Sequence, residues 1–302
     1  MMIAGARTRN RIAALIPVFA VLLAGAGLSA PTAHAAVADT VCGTALSGDE
    51  ITSIAQLSDT GALTGSSMQR LEQAVDNHRQ ITEILVRHQD RRGVLALGLN
   101  GVEYAAVMPL QRDPAAFANP EWAHRISLDL LSRFLDNLHA EFTGAPAEAH
   151  WAHYFALARQ CELSAARVAM AGYNAHLTVD LTYSIAAVGS TQDNAADYFR
   201  IVDGIAQQGP LIVSSTKQVY GGDLGPLWRF YFVGEGLDAV LGAGVGSGPL
   251  LRLADAGANV FIFGNGLALQ DPALAPSVRA EVDALWPTAD AAFAVLSANG
   301  GL

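Results

Sequence analysis

From Val168 to Val188 the chain reads as one helix that is apolar on almost every face, yet Asn174, His176 and Asp180 fall in its middle. A helix buried all round belongs at the centre of a larger set of helices. Three polar groups at mid-length make it a poor membrane span. A carboxylate in such surroundings must find a hydrogen-bonding partner or take up a proton. The rest of the fold therefore has to supply partners to the middle of this segment.

The flanking sequence supplies helices. Between Ser66 and Gln89, the residues Leu71, Val75, His78, Thr82 and Leu85 recur at steps of four, three, four and three, which predicts a helix with one buried stripe. A second helix opens at Asn119, with Pro120 at its first position. It buries Leu128, Leu131, Leu135, Leu138 and Phe142 and ends at Gly144, leaving Asp129, Arg133 and Asp136 on the solvated face. The helical pattern from Pro146 to Val188 is too long for one element and divides near Ser164, a cap residue, so that the central helix covers about 164–188. Helices are expected again around Ala195–Gln207, Leu227–Leu241, Leu250–Leu269 and Ser277–Ser297, the last kinked or restarted at Pro287, with a loop from Gln207 to Gly225. Strand alternation is almost absent, Leu211–Ser214 being the only short candidate. The expected class is all-α, a single multi-helix domain built around a buried central helix.

The ends of the chain carry separate information. Arg7, Arg9 and Arg11 precede an apolar run from Ile12 to Leu28, and Ala33-His34-Ala35 follows. That order predicts a secretory signal peptide over residues 1–35 rather than an anchor, since Pro17 and small residues interrupt the run. Residues 36–65 are then an N-terminal extension and 66–302 the helical domain. Export places the only two cysteines, Cys42 and Cys161, where a pair oxidises. A bridge between them would tether the extension, the alternative being two buried thiols. Secretion or attachment to the cell envelope is the expected location.

Charge narrows the partners. The full chain has net charge −10, and 17 of its 18 basic residues are arginine. Loss of the leader would leave 15 basic against 28 acidic residues. No basic patch is present to hold nucleic acid or an anionic membrane. Catalytic motifs also fail. Gly242–Gly248 has no preceding strand and no Gly-Lys-Ser/Thr. Ser214-x-x-Lys217 uses the only lysine, so the companion Lys-Thr-Gly cannot exist.

Histidine remains. Beyond the leader all seven lie between positions 78 and 176. His78, His139 and His176 point toward the core by helical arithmetic. Tyr173, His176, Asp180 and Tyr183 share one face of the central helix, and a His and Asp at i, i+4 can ligate one metal or form an oriented pair. Asn174 falls about 140° away, on another surface. His150 and His153 lie off the face made by Trp151, Phe155 and Ala158, toward solvent or a rim. Asp136-x-x-His139 is only a partial echo of a di-iron pattern.

The string Gly172-Tyr173-Asn174-Ala175-His176-Leu177-Thr178-Val179-Asp180-Leu181 resembles the Gly-x-Asn-Ala-His-x-x-x-Asp-Leu hallmark of a family of bacterial, mostly helical proteins of unknown function. Asp90-Arg91-Arg92-Gly93, Phe117-x-x-Pro120-x-Trp122, and Trp151 with Phe155 are similar as well. The sequence departs after Gly93, at Val94–Asn100. The resemblance implies a helical fold and directs attention to Asn174, His176 and Asp180; it implies no reaction.

Two functional expectations follow. The first is an exported protein that binds a small apolar ligand or an envelope partner, with Trp228, Phe230, Tyr231, Phe232 and Val260–Phe263 lining the contact. The alternative is a metal-assisted hydrolase in which His176 and Asp180 hold zinc or iron, His139 or His78 completes the set, and Asn174, Tyr173 and Tyr183 bind substrate.

Overall fold

The computed structural model describes residues 37–224 and 247–302, with the backbone alone for 247–256. The leader, the aromatic run Trp228–Phe232 and the helix expected at Leu227–Leu241 lie outside the described residues. Every regular element described is helical, and no strand occurs among them. In chain order these are α1 (Gly48–Leu57), α2 (Ser67–Arg87), α3 (Val94–Val102), a π-helical turn (Glu103–Val107), α4 (Met108–Arg112), α5 (Pro120–Thr143), α6 (Ala149–Ala158) and α7 (Ala165–Asn174). A second π-helical turn (Ala175–Asp180) leads into α8 (Leu181–Ala187), followed by α9 (Ala195–Ala206), α10 (Gly209–Tyr220), α11 (Ser247–Ala268) and α12 (Ala275–Ala298).

Helix ends follow the local chemistry. Ser66 and Gln69 cap α2 reciprocally. Asn119 accepts from the Trp122 amide at the start of α5, and Gly144 ends that helix at φ 73°. Ser164 caps α7. The buried stripes of α2 and α5 meet each other, and α1 lies against both. Leu71, Ile81, Leu85, Phe134, Leu135, Trp151, Tyr154 and Phe155 form the main core with α3 and α7. A second core gathers Trp122, Ile126, Leu181, Ile185, Tyr198, Ile262 and Phe263.

Several expectations are corrected. Leu211–Ser214 is not a strand, and the loop expected up to Gly225 contains α10, with Pro210 in its first turn, where a missing amide hydrogen costs nothing. Its β-branched Ile212 and Val213 read as strand because they pack on the main core. The last helix is not restarted at Pro287; α12 runs through that residue. Val94–Asn100, where the sequence leaves the resembled pattern, is a buried helix. Gly98 there lets the Tyr173 ring approach so closely that a Cβ would lie 1.8 Å from its hydroxyl. The continuous helical run Arg91–Arg112 is long and apolar enough by composition to cross a membrane, yet Val94, Leu95 and Ala96 are fully buried in the core.

The segment before α2 is part of the packing. Val41, Leu46 and Ile54 join the main core, and the carbonyl of Ala38 accepts from Arg92 Nη1 at 3.0 Å. A disulfide joins Cys42 to Cys161 across 119 residues. Closing so long a loop removes unfolded-state entropy worth about 4–5 kcal/mol in the chain-entropy model. The double variant Cys42→Ser/Cys161→Ser should lose up to about that much stability in urea unfolding, and a reducing agent should lower the parent protein to the same level.

Candidate functional site

Asp180 ends the second π-helical turn and is 1% exposed. A π turn inserts one residue into the helical register, so the faces before and after it no longer follow the 3.6-residue wheel. Asp180 Oδ1 lies 2.9 Å from His150 Nε2. An ionised carboxylate only accepts, so it fixes the imidazole proton on that nitrogen. The Trp151 indole N–H donates to Oδ2 at 3.1 Å. His176 Nδ1 stands 3.6 Å from the same Oδ2, too far for a hydrogen bond but close enough to feel the charge. Burial alone would raise the Asp180 carboxyl. The hydrogen bond from His150, backed by His176, outweighs it and holds the group below the ordinary carboxylate range.

The first turn of α6 is held from α5. Glu148 precedes the helix; its amide donates to Asn137 Oδ1 at 2.8 Å, and Asn137 Nδ2 donates to Glu148 Oε2 at 3.2 Å. This brings Oε2 to 3.5 Å from His150 Nε2. Donor atoms of Glu148, His150 and Asp180 all lie within 4.8 Å of one another. Glu148 also lines a cleft of about 370 Å³, together with Asp129, Arg133, Asp136, Asn137 and Pro146. Arg133 is engaged there by Asp129 at 2.8 Å and Ser184 Oγ at 3.1 Å. Burial raises the Asp136 carboxyl, with a partly offsetting hydrogen bond from Thr60. A second cleft, of about 420 Å³, lies at the start of α5 beside Asn119, Glu121, Arg125 and Thr191, and contains none of the candidate residues.

A second polar cluster adjoins the first across Trp286 of α12. The indole stands edge-on to His150 and His153, with ring centres 6.2 and 5.7 Å away. Asn174 donates to the Trp286 carbonyl at 2.8 Å, so the other surface on which the wheel arithmetic places it is the buried one facing α12. Asp290 Oδ2 lies 2.8 Å from both His153 Nε2 and Arg167 Nη2.

The residues read from sequence thus divide. His176 and Asp180 do come together, and Asn174 lies in the adjoining cluster. Tyr183 lies under the Arg133 guanidinium, 6.0 Å from it. Tyr173 turns instead toward Gly98 of α3, where burial raises its hydroxyl. The proposed ligands His78 and His139 are corrected. His78 Nδ1 is 2.7 Å from Glu103, on the first π turn, and His139 Nδ1 is 2.8 Å from the Ala55 carbonyl, so each is committed to joining helices. His150 was expected at a rim and is buried, because the covered face of α6 is broader than Trp151, Phe155 and Ala158 and takes in Tyr154 and His150 as well. Glu148 goes unread in the sequence and His150 is read only as a rim residue, not as part of the site; their one signal is an acid and an imidazole at the Pro146-preceded start of a helix.

Asp290 generates a pH prediction. Its burial is outweighed by His153 and Arg167, so the folded carboxyl sits below its ordinary value. Stabilisation from a depressed carboxyl is complete above the unfolded pKa and is lost as pH falls through the folded one. Asp290→Asn should therefore flatten the acid limb of stability against pH, measured by urea unfolding from about pH 5 down to about pH 2. An unchanged acid limb would show that the ion pair contributes nothing.

No curated protein and no solved structure matches the chain. A family model does match, over residues 68–232, which take in α2 to α10 and with them Glu148, His150, His176 and Asp180, but neither Trp286 nor Asp290. The chain belongs to that family, described as a family of unknown function (DUF5995).

Proposed function

We propose that the protein is an exported hydrolase whose working centre is Asp180 with His150 and Glu148, fed from the cleft beside Glu148. The observation that carries this reading is the pairing of a 1%-exposed carboxylate with a buried imidazole 2.9 Å away, next to a polar cleft. A carboxylate that orients an imidazole is the arrangement used to take a proton from water or another nucleophile. The reaction class is addition of water across an ester, amide or phosphoester bond in a polar substrate small enough for the cleft. His176 is a neighbour of the centre, and Asn174 supports it through Trp286. The disulfide fits an exported protein, and the reading of 1–35 as a cleaved leader agrees with it.

The apolar-ligand expectation finds less support. Ile262 and Phe263 are buried in the second core, and both described clefts are lined largely by polar residues. One observation favours a partner at the surface: Val260 and Phe261 are 60% and 43% exposed on α11. An envelope partner seated there would be released by Val260→Asp, read as loss of co-sedimentation with isolated envelopes.

The main reading is tested with chromogenic esters, anilides and phosphoesters offered to the mature protein. At least one class should be turned over. Asp180→Asn and His150→Gln should each lower the rate on the order of 10²–10⁴-fold, the size of a general-base contribution. Helical content and thermal midpoint are measured alongside to separate lost chemistry from lost fold. No turnover by the parent protein on any class, or full activity in Asp180→Asn, would overturn it.

A further inference from the structure

We propose that Glu148, His150 and Asp180 bind one divalent cation, with zinc preferred, leaving a coordination position open toward the Glu148 cleft. The proposal rests on reading the Asp180 centre as hydrolytic and names the ion that would activate water there. Three donor atoms from three residues converge. His150 Nε2 is 2.9 Å from Asp180 Oδ1 and 3.5 Å from Glu148 Oε2; the ion takes the place of the Nε2 proton, which is released on binding, so that with the ion bound His150 and Asp180 serve as ligands rather than as a base and its orienting carboxylate. Two ligands bound to one tetrahedral zinc at 2.0–2.1 Å stand about 3.3 Å apart, and those two separations bracket that value. The remaining gap between the carboxylates is closed by rotation of the Glu148 side chain, which is 56% exposed.

The surroundings are built as outer partners of a metal site usually are. Trp151 donates to the Asp180 oxygen that faces away from His150, and Asn137 orients Glu148. A second, independent observation comes from His176. Its side chain is 6% exposed, and its Nδ1 is buried with no hydrogen bond while facing Asp180 at 3.6 Å. A buried imidazole nitrogen left unpaired costs desolvation energy that only an absent partner restores. A water molecule held by the cation is such a partner.

Donor chemistry selects the ion. One imidazole and two carboxylates suit zinc or a neighbouring first-row ion, whereas magnesium and calcium favour oxygen alone. Thiolate coordination is excluded because both cysteines are in the disulfide. Two carboxylates balance a divalent charge. On the cleft wall Asp129 is paired with Arg133, which leaves Asp136 to add negative potential that draws a cation inward. No other His–carboxylate pair among the described residues gathers three such donors: His78, whose Nε2 is also buried without a hydrogen bond, has Glu103 alone, His88 shares Glu50 with Arg87, and His153–Asp290 is already compensated by Arg167.

The experiment is calorimetric titration of the oxidised mature protein, stripped with chelator, using zinc chloride and, separately, magnesium chloride. The expected result is one zinc ion per chain and no magnesium uptake. Glu148→Gln removes a ligand and should weaken zinc binding by at least the roughly 10- to 100-fold that loss of an outer partner costs, His150→Gln and Asp180→Asn should weaken it further, and His139→Gln should change nothing. Should Asp180→Asn fail to fold, Glu148→Gln carries the test, since its carboxylate is half-exposed. Absence of saturable zinc binding, or binding undiminished in Glu148→Gln and His150→Gln, overturns the proposal. Full hydrolytic activity in stripped protein also overturns it while sustaining the hydrolase. Stoichiometric zinc that is lost in Glu148→Gln, with no hydrolysis of any substrate class, sustains the cation site and overturns the hydrolase.

Discussion

A carboxylate buried to 1% exposure in an apolar helix sets the terms for the packing around it. Asp180 cannot sit there ionised without donors on both oxygens, and the buried hydroxyls of α8 are engaged elsewhere, Thr182 with the Thr178 carbonyl and Ser184 with Arg133. His150 and Trp151, adjacent on the first turn of α6, supply them, so α6 must dock with that turn against the π-helical segment. The docking in turn explains how Glu148 is held. It stands just before the helix, where Asn137 of α5 grips both its amide and its carboxylate. One buried charge thus fixes the relative placement of α5, α6 and the central helix. Leaving any member of such a network unpaired costs more than the network contributes in net stability, which makes it a device for uniqueness of packing.

The same logic recurs away from the site. Arg92 is wholly buried, with Asp90 at 2.5–2.9 Å, the Ala38 carbonyl at 3.0 Å and the Phe142 ring beneath it. That single guanidinium joins the segment before α1, the turn before α3 and the end of α5. His78 with Glu103 ties α2 to the first π turn, and His139 ties α5 to α1. Arg167 and Asn174 lie seven residues apart on α7 and both reach α12, at Asp290 and the Trp286 carbonyl. Leucine-rich stripes leave many ways for helices to slide past one another; buried polar pairs select one.

What could be read from the sequence was whatever depends on neighbours along the chain. Caps at Asn119 and Ser164, the stripes of α2 and α5 and the all-helical class are all local patterns, and the structure contains them; His176 and Asp180 are neighbours as their spacing implies, but at 3.6 Å and without a hydrogen bond. The failures share a cause in tertiary context. The wheel put His150 at a rim because it drew the buried face of α6 through Trp151, Phe155 and Ala158 alone, and that face extends through Tyr154 to His150. His78 and His139 do point inward, but an inward direction does not say which helix waits there. Val94–Asn100 looked like a departure because apolar and small residues have no signature until Tyr173 is seen packed on Gly98. Leu211–Ser214 was ambiguous because short apolar runs do not separate helix from strand.

The π turn was the least legible feature and the one that arranges the site. Asn174, His176 and Asp180 are spaced two and four residues apart, and no face of a regular α-helix carries all three. With one residue inserted between Ala175 and Asp180, Asn174 is turned to α12 and Asp180 to α6, while His176 stands beside Asp180. The string from Gly172 to Leu181 spans this turn, and Gly172 permits Leu95 and Tyr154 to pack within 3.1 Å of where its side chain would begin. In this chain that string is therefore better understood as encoding a local change of helical register than as a list of ligands. Its histidine and aspartate gain their chemistry from α6, whose Glu148 and His150 lie outside it.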